Sequence, residues 1–129
     1  VQQLLWISLG GALGTGARVL VGLWAERLWG ASFPYGTLLV NLVGSFLLAG
    51  VTYLGLEAQV ISAPLRTFLT VGVMGGLTTY SSFNYETLRL AESGQWTMAL
   101  TNVVVTLVGC GSAGVLGLFA GARIAAALR

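Results

Sequence analysis

Hydrophobic and polar positions alternate along this chain on a coarse scale. Long apolar runs span Leu4–Trp24, Tyr35–Leu56, Thr67–Tyr85 and Trp96–Ala122, separated by short polar breaks, and the only charge inside any run is Arg18. A bilayer core about 30 Å thick needs roughly 20 apolar residues in a helix. The pattern therefore predicts an all-α integral membrane protein with four transmembrane helices. The connections 25–34, 57–66 and 86–95 are too short to separate domains, so residues 1–129 read as a single four-helix transmembrane domain. Phe33-Pro34-Tyr35-Gly36 is a turn signal and Pro64 suits a helix entry.

Polar residues inside the runs fall at helical spacing. Thr37, Asn41 and Ser45 form one stripe at i, i+4, i+8, and Asn102, Thr106 and Cys110 form another. Both offer neutral hydrogen-bonding groups without a fixed charge. Such stripes serve either interhelical hydrogen bonding or a permeation path. The third run carries Gly75-Gly76-Leu77-Thr78-Thr79, a poor continuous helix that reads either as a break or as a Gly-rich packing face. A break frees backbone groups that protein, water or an ion must satisfy. Gly10/Gly14, Gly72/Gly76 and Gly117/Gly121 are small-xxx-small pairs that predict close helix packing. Glu86 closes the third run, with an i, i+3 relation to Arg89.

Composition reinforces the membrane reading. Hydrophobic residues make up 56% of the chain and charged residues 8%, and mean hydropathy is +0.87. Soluble domains carry about 25% charged residues. The net charge of +2 is small and dispersed, which argues against a nucleic-acid partner. His is absent and the single Cys110 has no evident base partner, so the pattern supports no enzymatic reading. The first run lacks a basic n-region and is too long for a cleavable signal, and the missing initiator Met fits a trimmed or partial N-terminus. Four crossings put Arg66, Arg123 and Arg129 on one side, against Arg27, Arg89 and a snorkelling Arg18 on the other. This balance leaves orientation open: insertion in both directions, or orientation set by other signals.

Three segments carry a family resemblance: Gly11-Ala-Leu-Gly14 with Arg18, Gly36-Thr37-Leu-Leu-Val-Asn41, and Gly75-Gly76-Leu-Thr78-Thr79-Tyr80-Ser-Ser82-Phe83. On these the chain resembles the Fluc/CrcB family of fluoride ion channels, over nearly its whole length. The resemblance implies a fluoride-selective, passive channel in the bacterial inner membrane. It implies an antiparallel, dual-topology homodimer with two pores, a third helix broken near its middle, and a structural central Na⁺ held by the carbonyls of Gly75 and Thr78. It places Asn41, Tyr80, Phe83, Thr37, Ser82, Asn102, Thr106, Cys110 and Glu86 along the anion pathway, and Arg18 at a vestibule. Fluoride and membrane lipid are the implied partners. Tyr80 departs from the family's phenylalanine, and Asn102 and Cys110 stand where Tyr or Ser is common. The rival readings are a small proton-coupled multidrug-type exporter, which needs a membrane-embedded carboxylate, and a structural membrane protein that transports nothing.

Overall fold

The computed structural model describes residues 1–128 and is all-helical, with no strand among the described residues; Arg129, counted above among the charges, lies outside them. Helix α1 spans Gln2–Trp29, α2 Tyr35–Leu56 and α6 Trp96–Ala127. These three are long and apolar enough to cross a membrane. At 1.5 Å per residue, even the 22-residue α2 is about 33 Å long. Between α2 and α6 the chain forms α3 (Ala63–Thr67), a π-helical stretch (Phe68–Met74), α4 (Gly75–Leu77) and α5 (Tyr80–Glu92).

Local chemistry sets the ends. α1 stops at Gly30, whose φ of 78° only glycine adopts without strain, and its N–H donates to Glu26 O at 2.8 Å. Pro64 sits in the first turn of α3. Thr79 caps α5, its side-chain oxygen accepting from Ser82 N at 3.1 Å.

Glycine decides how close the helices come. A Cβ on Gly117 would collide with the Phe46 carbonyl, and one on Gly121 would lie 2.9 Å from Gly50 O, so α2 and α6 pack with their backbones nearly in contact. α1 lies as tightly on the third segment. Gly10 faces Gly72, Gly14 faces the Val73 carbonyl and Gly76 faces Gly11 O. All three small-xxx-small pairs thus lie at helix contacts. The buried apolar core is small, centred on Val40, Met74 and Leu77 with Val21 and Val73 against it. Most large apolar side chains of α1 and α6 point outward, as suits a hydrocarbon solvent.

Candidate functional site

Helical hydrogen bonding in the third segment ends with Thr78 N–H, which donates to Met74 O at 2.9 Å. Thr78 (φ −82°, ψ 155°) and Thr79 (φ −155°, ψ 112°) are extended, and the helix restarts at Tyr80. Of the Gly75–Thr79 segment singled out as a poor continuous helix, Gly75, Gly76 and Leu77 are helical, and the interruption lies at the two threonines that follow Leu77. The physical reason is the competition for backbone partners at Thr78 and Thr79. Thr78 Oγ1 donates back to Met74 O at 2.8 Å, and Thr79 finds its partners on α2.

That α2 partner is Asn41. Its Oδ1 accepts from Thr79 N at 2.8 Å, and its Nδ2 donates to Thr79 O at 3.1 Å. The side-chain amide pairs with both backbone groups of one residue as a neighbouring strand would, satisfying backbone that the interruption strips of helical partners. In a continuous helix Thr79 N–H would donate to Gly75 O, and Ser82 N–H to Thr78 O. Here the first goes to Asn41 and the second to Thr79 Oγ1, so neither carbonyl receives that bond. Two hard oxygen donors are thereby left available to a cation such as Na⁺, and the residues fit that chemistry.

Beyond the interruption, Thr79 Oγ1 lies 3.0 Å from Ser82 Oγ, to which it donates, and 3.3 Å from Ser81 Oγ. Phe83 is buried, whereas Tyr80 is 75% exposed, and the two rings are tilted by 57° with centroids 5.6 Å apart. One turn on, Thr37 Oγ1 donates to Glu86 Oε1 at 2.7 Å, while Glu86 Oε2 is buried with no hydrogen-bond partner. Both residues line an open cavity of about 700 Å³ at that end of the bundle, together with Glu26, Tyr85 and Arg89. Glu86 does not pair with Arg89 as its spacing allowed. Arg89 reaches Glu92 at 3.5 Å, both side chains well exposed, a contact of little energetic weight.

The α6 stripe meets α5 instead. Asn102, 1% exposed, donates through Nδ2 to Thr87 Oγ1 at 2.8 Å, and Thr87 donates on to Phe83 O at 2.7 Å. Thr106 closes the row with a long 3.5 Å contact to Asn102 Oδ1. Cys110 is free and half-buried further along α6. Arg18 is half-buried on α1, without a side-chain hydrogen bond or ion pair among the described residues, and does not line the cavity beside Glu86.

Thr37, Asn41, Ser82, Phe83, Glu86, Asn102 and Thr106 therefore gather around α5. Sequence reasoning missed Thr79 and Thr87, the two hydroxyls that link them. Thr79 was legible as an N-cap three residues ahead of Ser82; Thr87 carried no signal beyond its place one turn after Phe83.

Comparison with known proteins bears on what this arrangement serves. Residues 5–118 match the family described as "CrcB-like protein, Camphor Resistance (CrcB)". The chain is similar to proteins named "Fluoride-specific ion channel FluC". It is 48% identical to that of Sorangium cellulosum (strain So ce56) over 126 residues, 98% of this chain and 99% of the relative. It is 56% identical to that of Anaeromyxobacter sp. (strain K) over 110 residues, 85% of this chain and 87% of the relative. The Clostridium perfringens (strain 13 / Type A) protein is 39% identical over 81% of this chain and 80% of its own length. On a family match across residues 5–118, and relatives of this identity along most of their length, the chain belongs to the CrcB-like protein family.

Proposed function

We propose that this chain is a subunit of a fluoride-selective ion channel that lets fluoride leave the cell passively across the bacterial inner membrane. The observation that carries the reading is the 48% identity, over 98% of the chain, to a protein named for that activity. The geometry around α5 supports it. A small, strongly hydrated anion must exchange water for donors that hold it without trapping it. Ser82 and Thr106 supply neutral hydroxyls, and Asn41 keeps a second amide hydrogen beyond the one given to Thr79. The edges of Phe83 and Tyr80 carry partial positive charge and suit an anion approaching in the ring plane. Arg18 raises the anion concentration at a mouth without lining the narrow part. Thr37 fixes one oxygen of Glu86 at the cavity end of the path, and Asn102 and Cys110 continue the α6 side.

The channel is an antiparallel, dual-topology homodimer with two pores. α5 supports this reading, because Tyr80, Ser81, Asn84 and Tyr85 are exposed on it among membrane-spanning helices and need a protein or aqueous neighbour. Residues 63–92 make the fourth crossing as an interrupted helix, packed against its counterpart in the second copy. The carbonyls of Gly75 and Thr78 from both copies would hold the central Na⁺, whose charge would neutralise the converging carbonyl dipoles there.

Efflux from proteoliposomes tests the function, with chloride as the control ion. Fluoride-selective efflux without a proton gradient is expected. Strict dependence on a proton gradient would establish the exporter, and no flux of either ion would leave a structural protein. Gly75→Ala tests the assembly. Within the chain, a Cβ at Gly75 meets nothing nearer than Thr70 O at 3.9 Å, an ordinary contact. Loss of dimer or of flux by at least about tenfold is therefore expected to come from the second copy. A Gly75→Ala protein with full flux and normal dimer would refute the crossing at this residue.

A further inference from the structure

Away from the α5 site, the first turns of α1 and α3 enclose a second cavity of about 820 Å³. Its polar side chains are Gln2 and Gln3 on α1, Ser62 ahead of α3, Arg66, and Thr67, whose hydroxyl donates to Ala63 O. Its apolar wall includes Trp6 and Phe68, packed edge to face with centroids 6.3 Å apart at 84°. Among the described residues Arg66 is the only charged side chain lining it, and no carboxylate does. Arg66 is half-buried as a residue, and its guanidinium makes no side-chain hydrogen bond or ion pair among the described residues. The stem is held by α2: a Cβ on Gly55 would lie 2.6 Å from Arg66 Cδ, so the glycine gives the side chain its bed.

We propose that this cavity, with Arg66 between a polar rim and the Trp6–Phe68 wall, binds the phosphate of an anionic phospholipid. The inference goes beyond fluoride conduction. A cation whose stem is packed into the fold and which has no partner among the described residues is placed to receive an anion from outside the chain. A guanidinium fork matches phosphate oxygens bidentately. The cavity lies where the 57–62 connection enters α3, just past the end of the membrane-length helix α2, and Trp and Arg are favoured at the ends of membrane spans. Gln2, Gln3 and Ser62 can bond the glycerol and headgroup oxygens, while the aromatic wall receives the start of an acyl chain. A small soluble anion would leave that wall unused.

The test is native mass spectrometry of the purified protein released from nanodiscs of equal phosphatidylglycerol and phosphatidylcholine. Phosphatidylglycerol is expected to be retained at least about fivefold over phosphatidylcholine, the discrimination one interfacial arginine confers. Arg66→Gln should abolish the preference. Arg123→Gln, an exposed arginine on α6, should preserve it. If Arg66→Gln does not fold, Gly55→Ala displaces the stem without removing the charge and should also lower retention. Equal retention of both lipids by the native protein, a preference that survives Arg66→Gln, or an equal loss in Arg123→Gln would overturn the proposal. Retention is scored separately from flux, so the result is independent of whether the protein conducts fluoride.

Discussion

The stripes on α2 and α6 share one spacing and have different fates. On α6, Asn102 and Thr106 join Thr87 in a row that ends on the Phe83 carbonyl, every link running between neutral groups. On α2, the partners are groups otherwise left stranded: Asn41 takes both backbone groups of Thr79, and Thr37 takes one oxygen of a half-buried carboxylate. Thr87 would keep its bond to Phe83 O without Asn102; Thr79 would lose the partners of both its N–H and its C=O without Asn41. A polar stripe in a membrane helix thus gains its weight from what it meets, and spacing says nothing of that.

The widest separation between the stripes is expected at Asn41. Asn41→Asp keeps the acceptor for Thr79 N but removes the donor to Thr79 O, and places a negative charge beside a carbonyl. A buried bond lost in this way costs about 1–3 kcal/mol, and an anion path gains a repelling charge. Fluoride efflux should fall by about two orders of magnitude while circular dichroism shows the helices retained. Efflux within twofold of the native rate would return Asn41 to ordinary packing. Thr37→Val comes next. It removes the bond to Glu86 Oε1 and leaves the carboxylate without a partner at either oxygen. A loss of about five- to tenfold in efflux is expected, measured against Thr37→Ser, which keeps the hydroxyl and should hold near native rate.

Three of the four expected spans were legible because hydrocarbon thickness sets span length, and the runs at Tyr35–Leu56 and Trp96–Ala122 coincide with α2 and most of α6; the remaining run, Thr67–Tyr85, forms no single helix of membrane length. The glycine pairs were legible for the same kind of reason, since only a missing Cβ admits the carbonyls of Phe46 and Val73 so closely. The place of the interruption was not. Gly75-Gly76 looked weakest by helix propensity, yet those residues remain helical while Thr78 and Thr79 leave the helix. Propensity is local, whereas the bond that draws Thr79 away comes from Asn41, 38 residues earlier. Glu86 erred in the same direction. Its spacing pointed to Arg89, and a threonine 49 residues earlier claims it instead.

The α6 row should respond mildly. Asn102→Leu removes the donor to Thr87 and the acceptor for Thr106, but Thr87 still bonds Phe83 O and Thr106 can turn to its own helix backbone. Interhelical hydrogen bonds in membranes average about 0.6 kcal/mol, so a small loss of thermal stability and an efflux change within about threefold are expected. A collapse like that of Asn41→Asp would erase the distinction between the stripes and make α6 an equal wall of the path.

The smallest effect belongs to Tyr80. Its ring stands 5.6 Å from Phe83 and its hydroxyl makes no hydrogen bond within the described chain. Tyr80→Phe keeps the ring, its edge and its tilt toward Phe83, and removes only an oxygen with no partner to lose. If the aromatic edge is what an anion meets, efflux should stay within about twofold of the native rate, with selectivity over chloride unchanged. The phenol has one other way to matter. An O–H is a stronger donor than a ring C–H, and at 75% exposure it is free to reach a second copy or a passing anion. A tenfold loss in Tyr80→Phe would move the chemistry from the ring edge to that hydroxyl, and would add the tyrosine to the neutral donors that Asn41 on α2 and Thr106 on α6 already offer.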